Sequence, residues 1–198
     1  MTAVSAVEAA LAHRRRRWRP VLWLILAAAL FALIIGIGLI VRVLQSGTPY
    51  YSNDDEHFRY GSIGAEVVSG IPYKVWQALP VLFPEEFPAG DYSSFGFLYD
   101  GTQDLPIGIS KRRVSGVDLV WFNCAVCHAG TYRASEEDEP QIVTGMPAHQ
   151  LDLHGFTTVV LGAASDPRMG PDSLRSAMAD AGVGMGPIER HLWNIVVF

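Results

Sequence analysis

Val21 to Val41 (VLWLILAAALFALIIGIGLIV) is a run of twenty-one residues without a charged side chain, and it sets the organisation of everything that follows. As a helix it reaches about 31 Å, enough to cross the hydrocarbon core of a bilayer. Arg14, Arg15, Arg16, Arg17 and Arg19 precede it and Arg42 follows closely. The run is too long, and the arginine cluster too basic, for a buried core helix. The positive-inside bias keeps the N-terminus in the cytoplasm and sends residue 45 onward across the membrane. A cleaved signal sequence has an apolar region of roughly 7–15 residues ending at a small-x-small site. Here the run is longer and continues into Arg42-Val43-Leu44-Gln45, which favours an uncleaved anchor. Trp18 and Trp23 fit the aromatic belt at the cytosolic edge.

Charge divides the chain at the same place. Residues 1–44 hold six arginines against Glu8, whereas residues 45–198 hold nine Lys/Arg against nineteen Asp/Glu. The larger part therefore repels phosphate, which excludes a nucleic-acid-binding surface on it. With 49% apolar residues and 18% charged, a long disordered chain is excluded as well. The expected organisation is a cytoplasmic basic N-terminus (1–20), a transmembrane anchor (21–44), a linker (45–53) and an extracytoplasmic domain (54–198).

Within that domain the pattern predicts one or two helices over Asp54 to Phe83, broken at Gly70-Ile71-Pro72, with Trp76 in the core. Pro80, Pro84, Pro88 and Gly90 predict a loop-rich stretch. Short apolar runs between Phe95 and Phe122 predict two or three strands. Glu136 to Glu139 reads as a solvated loop, and Asp172 or Ser173 as the cap of a helix running to about Ala181 before Gly182.

Chemistry enters at Cys124-Ala125-Val126-Cys127-His128, which has the Cys-x-x-Cys-His form of a c-type haem attachment site. Two thiols three positions apart on a helical turn can each add to one vinyl group of a haem. The histidine after the second thiol then lies under the porphyrin as proximal iron ligand. A thiol redox pair also uses Cys-x-x-Cys but does not require the histidine. Zinc needs about four ligands. Cys124 and Cys127 are the sole cysteines, leaving His57, His149, His154 and His191 to complete such a set. An exported domain agrees with covalent haem attachment, which in bacteria is an extracytoplasmic process.

The chain also resembles a family. His57-Phe58-Arg59-Tyr60-Gly61-Ser62-Ile63-Gly64, Gly70-Ile71-Pro72-Tyr73, Leu105-Pro106-Ile107-Gly108 and Asn123 to Arg133 (NCAVCHAGTYR) are similar to the di-haem cytochrome c peroxidase superfamily. The branch it resembles contains the haem-dependent rubber oxygenases, and the likeness covers roughly residues 54–160. It implies a periplasmic or secreted oxidoreductase with two c-type haems, one reacting with peroxide or dioxygen and one relaying electrons. Members of that family carry a second attachment motif downstream. This chain has one and ends on Ile195-Val196-Val197-Phe198, so the resemblance implies a longer protein.

The second ligand of the iron separates electron transfer from reaction with small molecules. Met146-Pro147 resembles the Met-Pro loop of small cytochromes c, and Met169, Met178 and Met185 are further thioethers that serve equally as core filler. His149, and less so His154, are the alternative distal ligands or acid–base groups, while His57 and His191 read as structural or exposed. Lys111, Arg112 and Arg113 suit haem propionates or a solvated basic turn. The resulting expectation is a mainly α, cytochrome-c-like haem domain with a few short strands behind one transmembrane helix. One haem c is bound by Cys124, Cys127 and His128, with Met146 or His149 distal. The implied partners are the membrane, an electron-exchanging protein, and peroxide or dioxygen; the alternative is an electron carrier without turnover.

Overall fold

The computed structural model describes residues 3–186, with side chains placed for 20–41 and 45–186. His191 and the apolar ending at Phe198 lie outside the described residues. The chain divides into two compact units at Gln45 and Ser46.

The first unit is one helix, α1 (Ala3–Leu44). Its 22-residue segment Pro20–Val41 contains an 18-residue window with a mean hydropathy of 3.0, none of it buried, so it is long and apolar enough to cross a membrane. The basic segment expected as a separate N-terminal piece belongs to the same helix from Ala3 onward.

The second unit mixes short helices with short strands. Its helices are α2 (Asp54–Tyr60), α3 (Glu66–Ser69), α4 (Tyr73–Leu82), α5 (Leu153–Ala163) and α6 (Pro171–Asp180). β1 (Ile71–Pro72), β2 (Ile109–Val114) and β3 (Val117–Phe122) form an antiparallel sheet in the order β1-β3-β2. β4 (Ala129–Tyr132) and β5 (Gln141–Thr144) form a separate hairpin around the exposed acidic loop. Helix predominates in the chain because α1 alone supplies 42 residues; the second unit by itself is a mixed α and β domain.

Asn53 starts α2 by accepting a hydrogen bond from the Glu56 N–H at 2.8 Å, one of the donors a helix leaves free at its first turn. α6 begins two or three residues earlier than a cap at Asp172 or Ser173 would allow: Gly170 is the cap and Pro171 the first helical residue, where a proline's missing N–H costs nothing. The expected linker is not a free tether. Gly47 forms an antiparallel bridge with Arg113, and the Tyr51 hydroxyl donates to the Tyr60 carbonyl at 3.0 Å.

The main core is aromatic. Trp76, Phe87, Tyr92, Phe95, Phe97 and Phe156 are all buried in one cluster, with Trp76 stacked on Tyr92 at 3.6 Å between ring centres. Met178 is buried there too, and Met169 and Met185 pack against it, so these three thioethers are core filler. A smaller cluster joins Tyr60, Ile107, Ala125 and Ala129. Pro80, expected in a loop, sits in the last turn of α4. A helical residue 80 would donate to the Trp76 carbonyl; proline has no N–H, and the Tyr92 hydroxyl supplies the donor at 2.6 Å instead.

Candidate functional site

Cys124 opens a 3-10 turn, Cys124–Val126, that Cys127 caps and His128 follows, between the end of β3 and the start of β4. The turn closes because the Cys127 and His128 N–H groups both donate to the Cys124 carbonyl, at 3.3 and 3.2 Å. Both cysteines are free thiols and exposed, and His128 is exposed as well. The two residues between the thiols point the other way: Ala125 is 1% exposed in the smaller core and Val126 is 8% exposed in the main one. Burying a valine is worth about 1.5–3 kcal/mol, so the turn is pinned from behind while its reactive groups face outward.

Asn123 fixes the turn in the fold. Its Oδ1 accepts from the Ala125 N–H at 2.9 Å, and its Nδ2 donates to the carbonyls of Arg59 and Gly61, each at 3.1 Å. The side chain is buried, and three partners use one acceptor and both amide hydrogens, which also settles the orientation of the amide. Gly108 lies directly under the turn. Its N–H donates to the Arg59 carbonyl and its carbonyl accepts from the Asn123 N–H, both at 2.9 Å. A Cβ at this position would meet the Val126 nitrogen and Cα at 2.4 Å, and φ is +91°, so glycine is required twice over.

α2 is held beside the motif by charge. Arg59 pairs with Asp55 at 2.8 Å and with Asp100 at 3.0 Å, and donates to Thr144 Oγ1 of β5 at 3.4 Å. Burial pushes the Asp100 carboxyl up, but hydrogen bonds from Thr102 and Arg59 outweigh it and bring its pKa down to about 2. Burial, chiefly, holds the Tyr60 phenol above its ordinary value.

An open cleft of about 280 Å³ lies next to Cys124, lined by Asp54, His57, Phe58, Gly61, Ser62, Ile63, Asn123 and Cys124 itself. Phe58 is 36% exposed and Ile63 63%, so the cleft offers an apolar wall beside the thiol. His57, which reads in the sequence as structural or merely exposed, stands in this wall. Its ring stacks on Tyr51 at 6.0 Å and lies against the Gly61 Cα, where a Cβ would strike it at 2.1 Å. Spacing gives no hint of this, because Asn123 and Gly61 are 62 residues apart in the chain.

The segment after β5 returns to the motif. Gly145 N–H donates to the His128 carbonyl at 2.7 Å and Ala148 N–H to the Cys127 carbonyl at 3.1 Å. Met146 and His149 both adjoin Gly130, whose absent Cβ would lie 3.2 Å from Met146 Cγ and 3.3 Å from His149 Nδ1. Both distal candidates are thus beside the motif, Met146 half-buried and His149 exposed. His154 is exposed in the first turn of α5. Lys111, Arg112 and Arg113 lie in strand β2, not in a turn.

Among the described residues no group of three or more His, Cys, Asp or Glu is placed to hold a metal ion. A haem iron needs no such group, since four of its ligands come from the porphyrin. No family model, curated protein or solved structure matches this chain.

Proposed function

We propose that the chain is a membrane-anchored c-type cytochrome of extracytoplasmic redox function, part of a peroxidase- or oxygenase-type oxidoreductase. One haem c is joined to Cys124 and Cys127, with His128 as proximal iron ligand. The observation that carries this reading is the pair of exposed free thiols three residues apart on one turn, followed at once by an exposed imidazole. Each thiol adds its S–H across one vinyl group, making a C–S and a C–H bond with no leaving group and no oxidant. When bound, the haem supplies an iron that exchanges single electrons and takes small ligands at an open position.

The chain's own part is to hold and cover. Asn123 and Gly108 keep the turn in register with α2, and Phe58 and Ile63 supply the apolar wall beside Cys124. The arginines before Val21 support an anchor whose N-terminus is cytoplasmic, with the domain in the periplasm or an equivalent extracytoplasmic space. The likeness to the di-haem peroxidase superfamily supports an iron that reacts with peroxide or dioxygen. An electron carrier is the second reading, and its support is Met146, whose side chain adjoins the motif at Gly130.

Haem-peroxidase staining of denaturing gels tests the attachment after expression with export and haem maturation. Stain persists through acid–acetone extraction in the wild type and disappears in the Cys124→Ala, Cys127→Ala double variant. Extractable colour refutes covalent attachment. Ready binding of carbon monoxide by the reduced protein favours the enzyme. A methionine-to-iron charge-transfer band lost in Met146→Ala favours the carrier.

A further inference from the structure

We infer that the β2–β3 hairpin is a docking surface for the headgroups of anionic phospholipids, with Lys111 and Arg113, which share one face of β2, as its contacts. The inference rests on α1 being a membrane span. Gly47 exchanges two backbone hydrogen bonds with Arg113, at 3.0 and 2.8 Å, along the free edge of β2, and Ser46 Oγ accepts from the Ser115 N–H at 3.2 Å. Gly47 is the third residue after Leu44, the last of α1. Three residues of extended chain reach about 10 Å. At any angle between helix and domain, covalent connection therefore holds the edge of β2 near the point where the chain leaves the bilayer.

The charge on this edge suits a negative surface. Lys111, Arg112 and Arg113 are three of nine Lys/Arg in residues 45–198, set against nineteen Asp/Glu. Asp118 is the acid facing them on β3, and its 3.6 Å pair with Arg113 is open to water, with both side chains more than 40% exposed. Such a pair neutralises little. Lys111 Nζ sits 4.4 Å over the Tyr73 ring, which leaves its positive charge in place, although the Tyr73 hydroxyl itself donates to Asp104. Arg112 faces the other side of β2, half-buried, with its Nε enclosed and without a hydrogen-bond partner, so it adds to the field of the strand but is not a headgroup contact. An anionic bilayer thus repels most of this domain and attracts the strand that the tether already brings to it. Cys124 lies two residues past Phe122, at the end of β3 away from the hairpin turn, and six residues of strand cover about 20 Å. Docking the turn on lipid leaves the motif on the aqueous side.

Hydrogen exchange on the full chain in lipid nanodiscs tests this, read on the peptide Val114–Val117 at the turn. Exchange there is about tenfold slower in discs containing anionic phosphatidylglycerol than in purely zwitterionic discs, by the affinity that basic residues add at such surfaces. The difference disappears as salt approaches 1 M, where the Debye length is about 3 Å, and in the Lys111→Gln, Arg113→Gln variant. Equal exchange in both discs overturns the docking surface while leaving the anchor intact. Equal protection by inorganic phosphate in zwitterionic discs also overturns it, in favour of a free-anion site. A chain that does not co-elute with discs overturns the membrane span and the docking surface together. The lipid and salt comparisons use the wild-type protein and stand whatever the variant's folding.

Discussion

The hydroxyl of Tyr92 donates to the carbonyl of Trp76, the acceptor that Pro80 deprives of its helical donor. One side chain therefore repairs the last turn of α4 and stacks on the same residue's indole. Burial pushes the Tyr92 phenol well above its ordinary pKa, so it stays a donor at any working pH. Tyr92→Phe keeps the ring and strands a buried carbonyl, with an expected loss of about 1–3 kcal/mol in denaturant unfolding. In a Pro80→Ala background the new N–H restores the helical donor, so the same substitution costs less, with a coupling of about 1 kcal/mol. Equal costs in both backgrounds would contradict this account of α4.

The support of the motif is as specific. Gly108→Ala drives a methyl group into the Val126 backbone and strains a positive φ, with an expected cost of about 3 kcal/mol or more. Asn123→Ala removes the turn's cap and both donors to the Arg59 and Gly61 carbonyls, at about 2–4 kcal/mol. Both variants should also lower the yield of stained protein per unit of protein exported. Unfolding midpoints within error of the wild type would refute the placement of these residues.

How much of this was legible beforehand depends on how local each cause is. The apolar helical segment at Pro20–Val41, long enough to cross a membrane, and the turn at Cys-x-x-Cys-His are written in consecutive residues, and each is local in its cause. Pro80 misleads because its compensation comes from Tyr92, twelve positions on. α5 has no strong signature: Thr157, Thr158, Val159 and Val160 are β-branched, and the helix forms because Asp152 caps it at 2.8 Å and Phe156 is buried. The cleft wall is least legible of all, since Phe58 and Ile63 meet Cys124 through bonds from Asn123 to backbone carbonyls, which leave no trace in residue type.

Asp100 gives the domain an acid-sensitive element. Its folded pKa of about 2 lies below the unfolded value of about 3.9. Its stabilisation is therefore complete above pH 4–5 and is lost as pH falls toward 2, where the unfolded chain takes up the proton first. After allowance for partial exposure the contribution is about 1–2 kcal/mol. Wild type should exceed Asp100→Asn by that amount in unfolding at pH 7, with the gap closing toward pH 2. A gap that stays constant with pH would show that the carboxylate's charge is not what stabilises this site.

The most direct measurement of the central claim is the mass of the tryptic peptide Val114–Arg133, which contains Cys124, Cys127 and His128 and has no internal Lys or Arg. Protein exported with haem maturation should be treated with an alkylating reagent under denaturing, reducing conditions before digestion. The account predicts one peptide carrying the mass of one haem and no alkyl group on either thiol. A peptide alkylated at both Cys124 and Cys127, with no haem mass, would contradict it and return the pair to thiol redox chemistry.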